Sequence, residues 1–384
     1  VVVGGEQVIF HLLPSSVLYS GKTCVLGSGM VIDPKQFLKE VGILHQAGLD
    51  RARLVVSSNA HLIMPYHKIL DHVQEVSHGK GRMAEAVGDG AGPCYVDKCA
   101  RSGIRVEDLL DEVRLREVVS TILEEKNRVL TKLYGEKPLP LYEVYEPARE
   151  WGKAIAPYVE DTTALLYDSL EKGKNILLEG AQGTLLDLDY GTYPCVTSTL
   201  TTVAGCFTGA GLPVTNVDRV IAVTKAYMTR SGKGPMPTED KGEVGEYLRS
   251  KGKEFRNITE QPRRCGWLDM IALRYSVRLN NCNAIALMKL DILSGLDEIK
   301  VCVAYDLDDV KTSHFPNNAY NLAKCRPIFE SLPGWGEDIS TCTTFESLPE
   351  EAQDYVRCIE DHAGVPVKLI GVGPGKNQMI NRGL

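Results

Sequence analysis

The stretch Ala284-Ile285-Ala286-Leu287-Met288-Lys289-Leu290-Asp291 decides the fold class. Its first five residues are apolar without interruption, and the run stops at a lysine and an aspartate. A strand buried on both faces reads this way, whereas a strand with one wet face alternates. Four other short runs share the pattern: Ile176–Leu178, Val220–Val223, Val301–Ala304, and Val367–Ile370 with Lys368 as an interruption. Helical segments lie between several of them. Together they predict an α/β fold, with a mostly parallel central sheet and helices on both faces. In such sheets ligands gather at the carboxyl ends of the strands. Lys289, Leu290 and Asp291 stand at one such end, and Gly371-Val372-Gly373-Pro374-Gly375 at another.

Between the runs, Leu109, Leu110, Val113, Val118, Val119, Ile122 and Leu123 recur at spacings of three and four, which predicts a helix over 106–133. A second helix is expected over 147–172, with Pro147 at its first position and a break at Pro157. At the start, Val1–Val3, the turn Gly4-Gly5 and Gln7–Leu13 read as a hairpin cut close to its beginning. An incomplete N-terminus is therefore expected.

The remaining statistics narrow the class. The chain has 384 residues, of which 43% are hydrophobic and 24% charged, enough for a large core without staples. No repeat or low-complexity linker divides it, so a single large α/β domain over 1–384 is expected. No apolar run reaches the roughly 18 residues of a membrane span. A net charge of −7 argues against phosphate-driven nucleic-acid binding, so neither membrane nor nucleic acid is an expected partner. The 11 cysteines show no C-x-x-C spacing and no histidine cluster, which speaks against disulfides or zinc and for a reducing cytoplasm.

Several segments carry chemistry, each with a plain alternative. Gly21-Lys22-Thr23 lacks the upstream glycine of a phosphate loop and reads as a turn. Glu179-Gly180-Ala181-Gln182-Gly183-Thr184 places a carboxamide among small residues, and Gly191-Thr192-Tyr193-Pro194-Cys195-Val196-Thr197-Ser198 follows with hydroxyls. These suit a phosphorylated ligand or a hydrogen-bonded loop equally. Gly90-Ala91-Gly92-Pro93-Cys94-Tyr95 leads to Lys98 and Arg101, which also fits a helix start with solvated charges. Arg263-Arg264 offers two guanidinium forks for carboxylate or phosphate, or a solvated pair. Asp291 after Lys289 can accept the ring N–H and the exocyclic amino group of guanine, which adenine does not present together; a surface charge pair is the alternative.

Taken in order, these segments resemble the adenylosuccinate synthetase family. The most specific pieces are Gly-x-Gly-Pro-x-Tyr-x-x-Lys-x-x-Arg (Gly90 to Arg101), Glu-Gly-Ala-Gln-Gly-Thr-Leu-Leu-Asp (Glu179 to Asp187), Gly-Thr-Tyr-Pro-x-Val-Thr-Ser (Gly191 to Ser198), Gly-Pro-Met-Pro-Thr-Glu (Gly234 to Glu239) and Arg-Arg-Cys-Gly-Trp-Leu-Asp (Arg263 to Asp269). The resemblance implies a P-loop-NTPase-like sheet and a ligase that joins IMP to L-aspartate with GTP and Mg²⁺. It implies that Gln182 is catalytic and holds the purine, that Thr197 binds the IMP phosphate, and that Arg101 reaches the IMP of a partner subunit in a homodimer. It places Asn257, Thr259, Gln261 and Arg263 on the aspartate loop. GTP would meet Arg263, Lys289, Leu290, Asp291, Gly371, Val372 and Gly373.

The chain also departs from the family's pattern. About forty residues with the first strand, the phosphate cradle, the catalytic Asp and His and the Mg²⁺ ligands are expected to precede Val1. Val87 and Asp89 stand where the family usually has a threonine and an arginine, and Glu260-Gln261 where it has Gly-Arg. Gln261 would forfeit charge-assisted bonds of about 1.5–3 kcal/mol each. Weak or absent activity is therefore expected of this chain alone. A non-catalytic nucleotide-binding homologue or oligomer partner is the alternative.

Overall fold

The computed structural model describes residues 2–3, 6–7, 10–77, 88–215, 217–255, 261–316 and 318–384, with 2–3 and 6–7 as backbone. The chain packs as two compact units. One comprises Val1–Lys80, Ala86–Ala181 and Thr197–Thr215; the other comprises Gly81–Glu85, Gln182–Val196 and Asn216–Leu384. The chain passes between them repeatedly, so no linker exists for a composition scan to find. The single-domain expectation rested on that missing linker.

In the first unit, Thr23–Leu26, Arg53–Ser57 and Val159–Glu160 form a parallel sheet with Arg53–Ser57 in the middle. The helix Pro34–Gln46 starts at Asp33, whose carboxylate accepts from Lys35 N and Gln36 N, and buries Phe37, Val41 and Leu44 at helical spacing. The helix expected over 106–133 is divided. A 3₁₀ turn covers Val106–Leu110, and Asp111 then caps Glu112–Leu133 by accepting from Val113 N and Arg114 N. An aspartate inside the periodic run competes for backbone N–H groups and restarts the helix. The next helix runs from Leu141 to Ile155 with Pro147 inside it, so Pro147 does not begin it. Pro157 does end it, in a 3₁₀ turn Ala156–Tyr158, and Asp161 caps the following helix Thr162–Glu171.

Two expected strands of this unit are shortened or absent among the described residues. Val2–Val3 pairs with Glu6–Gln7, but residues 11–13 do not continue the hairpin. Their N–H groups go to the buried carboxylate of Glu40, which accepts from His11 N at 2.7 Å, Leu12 N at 3.2 Å and Leu13 N at 2.9 Å. Ile176–Leu178 pairs with no strand among the described residues, and Leu177 is 85% exposed. An apolar run becomes a strand only where a ladder partner lies beside it.

The second unit supplies the parallel sheet that the apolar runs predict. Its order is Met379–Asn381, Val367–Gly371, Ala284–Met288, Ile221–Lys225; the last three are parallel and the first is an antiparallel edge. Leu287 pairs with Ile370 and Met288 with Lys225, so the three carboxyl ends are level. The run Val301–Ala304 belongs to a mixed sheet: Glu298–Leu307 pairs parallel with Leu268–Asp269 and antiparallel with Val310–Thr312 and Arg326–Pro333. Ile285, Leu287, Leu290, Val367, Ile370 and Val372 share one hydrophobic core.

Asp269 joins these sheets to the helix Met270–Leu279. It is buried, accepts from Ile271 N and Ala272 N at the helix start, and accepts Tyr305 OH at 2.5 Å. Burial pushes its carboxyl up to about 6, against the pull of those hydrogen bonds. A raised carboxyl pKa favours the fold below the unfolded value and loses that contribution as pH rises through about 6. Asp269→Asn keeps a capping side chain and abolishes the titration. Its stability relative to the parent is expected to improve between pH 5 and pH 7.5 by roughly 1–1.5 kcal/mol. Equal differences in Tm at the two pH values would show that Asp269 does not titrate in this window.

Candidate active site

The three level strand ends of the second unit build the site. Lys225 closes Ile221–Lys225, Lys289 follows Ala284–Met288, and Gly371 closes Val367–Gly371. Lys289 takes a left-handed backbone, φ 62°, which turns the chain sharply into the 3₁₀ turn Leu290–Leu293. The turn sends the Leu290 side chain into the core and leaves Asp291 half-buried in the first turn. Burial pushes the Asp291 carboxyl up, while Lys251 and Lys289 pull it down. Beside it, a Cβ on Gly371 would stand 3.0 Å from the Met288 Cε. A Cβ on Gly373 would fall 2.4 Å from the Gln378 Cδ. That carboxamide is committed: its Oε1 accepts Gly375 N at 2.8 Å and its Nε2 donates to Ser340 O at 3.1 Å. Val372 is buried in the core and offers the site only its backbone.

A fourth group ties these ends together, and the sequence reading did not find it. Glu254 is fully buried. Its Oε1 accepts Lys225 Nζ at 2.8 Å, Lys289 Nζ at 2.6 Å and Tyr227 OH at 2.8 Å. Its Oε2 accepts Lys225 Nζ at 2.8 Å and Arg263 Nη1 at 3.0 Å. Burial alone would raise the carboxyl; the hydrogen bonds from Lys225 and Lys289 outweigh it and hold the group at about 2. Arg263 thus joins Lys289 on one carboxylate, and its Nε–H is buried with no acceptor. Lys225 could have been found, because it ends an apolar run just as Lys289 does. Glu254 sits in Lys251-Gly252-Lys253-Glu254, which reads as a solvated charge run.

The loop after Gln182 is fixed by other groups of the same unit. Arg230 is largely buried and donates to Thr192 Oγ1 at 2.7 Å, Cys195 O at 3.0 Å and Lys233 O at 3.1 Å. Asp187 accepts from Asp189 N and Tyr190 N, and Asn280 donates to Thr184 Oγ1 at 3.0 Å. The Thr192 hydroxyl is therefore structural. Gln182 stands exposed ahead of this loop, and Gln261 is exposed next to Pro262. Asn257 and Thr259 lie outside the described residues, as does Val87.

Thr197 and Arg101 belong to the first unit. Thr197 is half-buried. Arg101 is exposed, closes the helix Ala91–Ala100 with φ 64°, and donates its N–H to Lys98 O at 3.2 Å. That helix is anchored beneath by Asp97, which accepts His67 Nε2–H at 2.9 Å and Lys126 Nζ at 2.5 Å. Met64 N donates to His67 Nδ1, which fixes this tautomer. Lys98 is not simply solvated, since it donates to Ser28 O at 3.2 Å. Asp89 accepts Ala91 N at 2.9 Å and so caps the helix.

All eleven cysteines are free thiols. One of them has a histidine neighbour that the reading of the cysteines overlooked: Cys358, His362 and Glu330 bring their ligand atoms within 4.8 Å of one another. A thiol, an imidazole and a single carboxylate do not suit Mg²⁺, which takes oxygen ligands in octahedral geometry. Among the described residues no other such trio forms. No helix among them is long and apolar enough to cross a membrane.

The lysines, aspartate and glycine-rich turn stand together at the carboxyl ends of a parallel sheet, where α/β proteins of this class carry their ligand sites. A family model described as adenylosuccinate synthetase matches residues 1–380. The adenylosuccinate synthetase of Nitratidesulfovibrio vulgaris (strain DP4) is 46% identical over 384 residues, covering 100% of this chain and 90% of the relative. That of Salinibacter ruber is 47% identical over 379 residues, covering 98% and 86%. The structure of fully ligated adenylosuccinate synthetase from Plasmodium falciparum superposes with a TM-score of 0.94 at 36% identity, covering 100% of this chain and 90% of that one. The chain belongs to the adenylosuccinate synthetase family, and the expected α/β fold is the family's fold. Nothing in these matches indicates an inactive chain.

Gly373 gives the site's shape a direct test. Gly373→Ala must displace the committed Gln378 carboxamide and is expected to cost roughly 1–3 kcal/mol. An unchanged urea midpoint would mean that Gln378 moves aside freely.

Proposed function

We propose that this chain joins IMP to L-aspartate using GTP, forming adenylosuccinate, GDP and phosphate. The observation that carries this reading is the meeting of Lys289, Asp291, Arg263 and the Gly371–Gly373 turn at one carboxyl edge. The half-buried Asp291 carboxylate suits the paired donors of guanine, and the Lys289 stem can lie along the base. The Gly371–Gly373 backbone admits the purine closely because no Cβ intervenes. Arg263, with an N–H still seeking an acceptor, suits the phosphoryl end and the aspartate carboxylate.

In the first step a general base takes the purine ring proton as the 6-oxygen attacks the γ-phosphorus of GTP, and GDP departs. In the second, the aspartate amine attacks C6 and phosphate departs with the 6-oxygen. Both are displacements governed by positioning and electrostatics. Gln182 holds the purine near its reacting oxygen, Thr197 binds the IMP phosphate, and Arg101 reaches the nucleotide of a second copy in a homodimer. Asn257, Thr259 and Gln261 belong to the loop that closes over aspartate. Gln261 is neutral where the family has an arginine, so aspartate binding leans more heavily on Arg263. Mg²⁺ is expected for the family; the one trio among the described residues does not fit it.

Turnover is read from purine near-ultraviolet absorbance with IMP, GTP, aspartate and Mg²⁺. Asp291→Asn is expected to lower the preference for GTP over ATP by roughly 10–100-fold, as one charge-assisted contact is lost. Gln182→Ala is expected to lower kcat by a similar factor with less change in KM. Equal use of ATP and GTP by the parent chain would sink the base-site assignment. Nucleotide binding without turnover would favour the non-catalytic alternative that Asp89 and Gln261 raise.

A further inference from the structure

Glu254 has no counterpart in the reading of the site so far. It is fully buried, yet three of its four partners face outward: the side chains of Lys225, Arg263 and Lys289 keep 26%, 32% and 36% of their exposure. Only Tyr227 approaches from the core. A carboxylate that merely filled a core would be surrounded by buried partners. Here an anion lies beneath a surface of cations and decides where each one points.

Two of those cations matter to the proposed GTP site. Lys289 is held at Nζ by Glu254 Oε1 at 2.6 Å and by Gly252 O at 2.8 Å, which commits its charged end to these two acceptors. Asp291 is two residues away and feels the charge of Lys289. Without Glu254 the ammonium is free to swing onto Asp291 and occupy the acceptor that guanine needs. Arg263 is held on the opposite oxygen of the same carboxylate. One group therefore fixes both the base end and the phosphoryl end.

We propose that Glu254 is a positioning residue of the nucleotide site: by holding Lys289 away from Asp291 and Arg263 in line with it, Glu254 secures guanine selectivity and couples the base end to the reacting end. This rests on the GTP reading given above. It adds a residue and a mechanism of selectivity to that reading.

The test is equilibrium binding of GDP and IDP to the full chain by calorimetry, since IDP lacks the exocyclic amino group that Asp291 accepts. The parent chain is expected to bind GDP at least tenfold more tightly. Glu254→Gln is expected to weaken GDP binding about tenfold or more and to reduce the GDP-to-IDP ratio at least fivefold. Glu254→Asp, too short to span both oxygens' partners, is expected to rescue neither. Tyr227→Phe removes a donor from the same carboxylate without touching the cations. It is expected to lower Tm and leave the ratio within twofold. If Glu254→Gln alone fails to fold, the Glu254→Gln/Lys225→Met pair removes one cation with the anion and is measured in the same way. A ratio that stays at the parent's value in the Glu254 variants overturns this proposal alone. A parent chain with no GDP preference overturns the functional reading and this proposal with it.

Discussion

The level ends of three parallel strands are the constraint on which the site depends. Pairing Met288 with Lys225 and Leu287 with Ile370 fixes the height at which each strand stops. A slip of one residue would turn every side chain to the other face and take Lys225 and Lys289 out of reach of one carboxylate. The specific packing of Ile285, Leu287, Val367 and Ile370 into one core, rather than any alternation of wet and dry residues, holds that register. The core thus sets the register, the register sets the strand ends, and the strand ends bring the charges together.

Once gathered, those charges must be stabilised, and the chain solves the problem of a buried carboxylate in four ways. Glu254 is ringed by ammonium and guanidinium groups. Asp97 takes one cation and one neutral imidazole. Glu40 takes no cation directly; three successive backbone N–H groups and Gln36 Nε2 serve instead. Asp269 takes two N–H groups and a phenol, and burial still pushes its carboxyl up. The direction of the shift follows the partners: full positive charges lower a buried carboxyl, and neutral donors alone do not offset desolvation at Asp269. Glu254 differs from Asp97, Glu40 and Asp269 in that its three cationic partners keep part of their side chains exposed.

Much of this was legible in the sequence. Apolar runs, broken only by Lys368, named the three central strands, because a strand covered on both faces has no wet side to pattern. The lysine, aspartate and glycines at their ends followed from where open sheets bind ligands. What stayed hidden were partners distant in sequence. Glu254 and Lys289 touch across 35 residues, and nothing in Lys253-Glu254 distinguishes a hub from a solvated pair. The failure at Ile176–Leu178 has the same origin, since local composition cannot supply a ladder partner. Leu290 and Val372 were placed in the GTP site by their neighbours, while their own side chains obey the core.

Departures from the family's pattern need the same physical treatment before they are counted as losses. Asp89 stands where an arginine is usual, yet here it caps the helix that carries Lys98 and Arg101. Its negative charge complements the positive end of the helix dipole, a local gain that an arginine at that point would not provide. Gln261 gains nothing comparable in charge. Gln261 is neutral, exposed and two residues from Arg263, which pairs with Glu254. In a cluster where one carboxylate already balances three positive charges, a fourth guanidinium would add repulsion whenever the anionic ligand is absent.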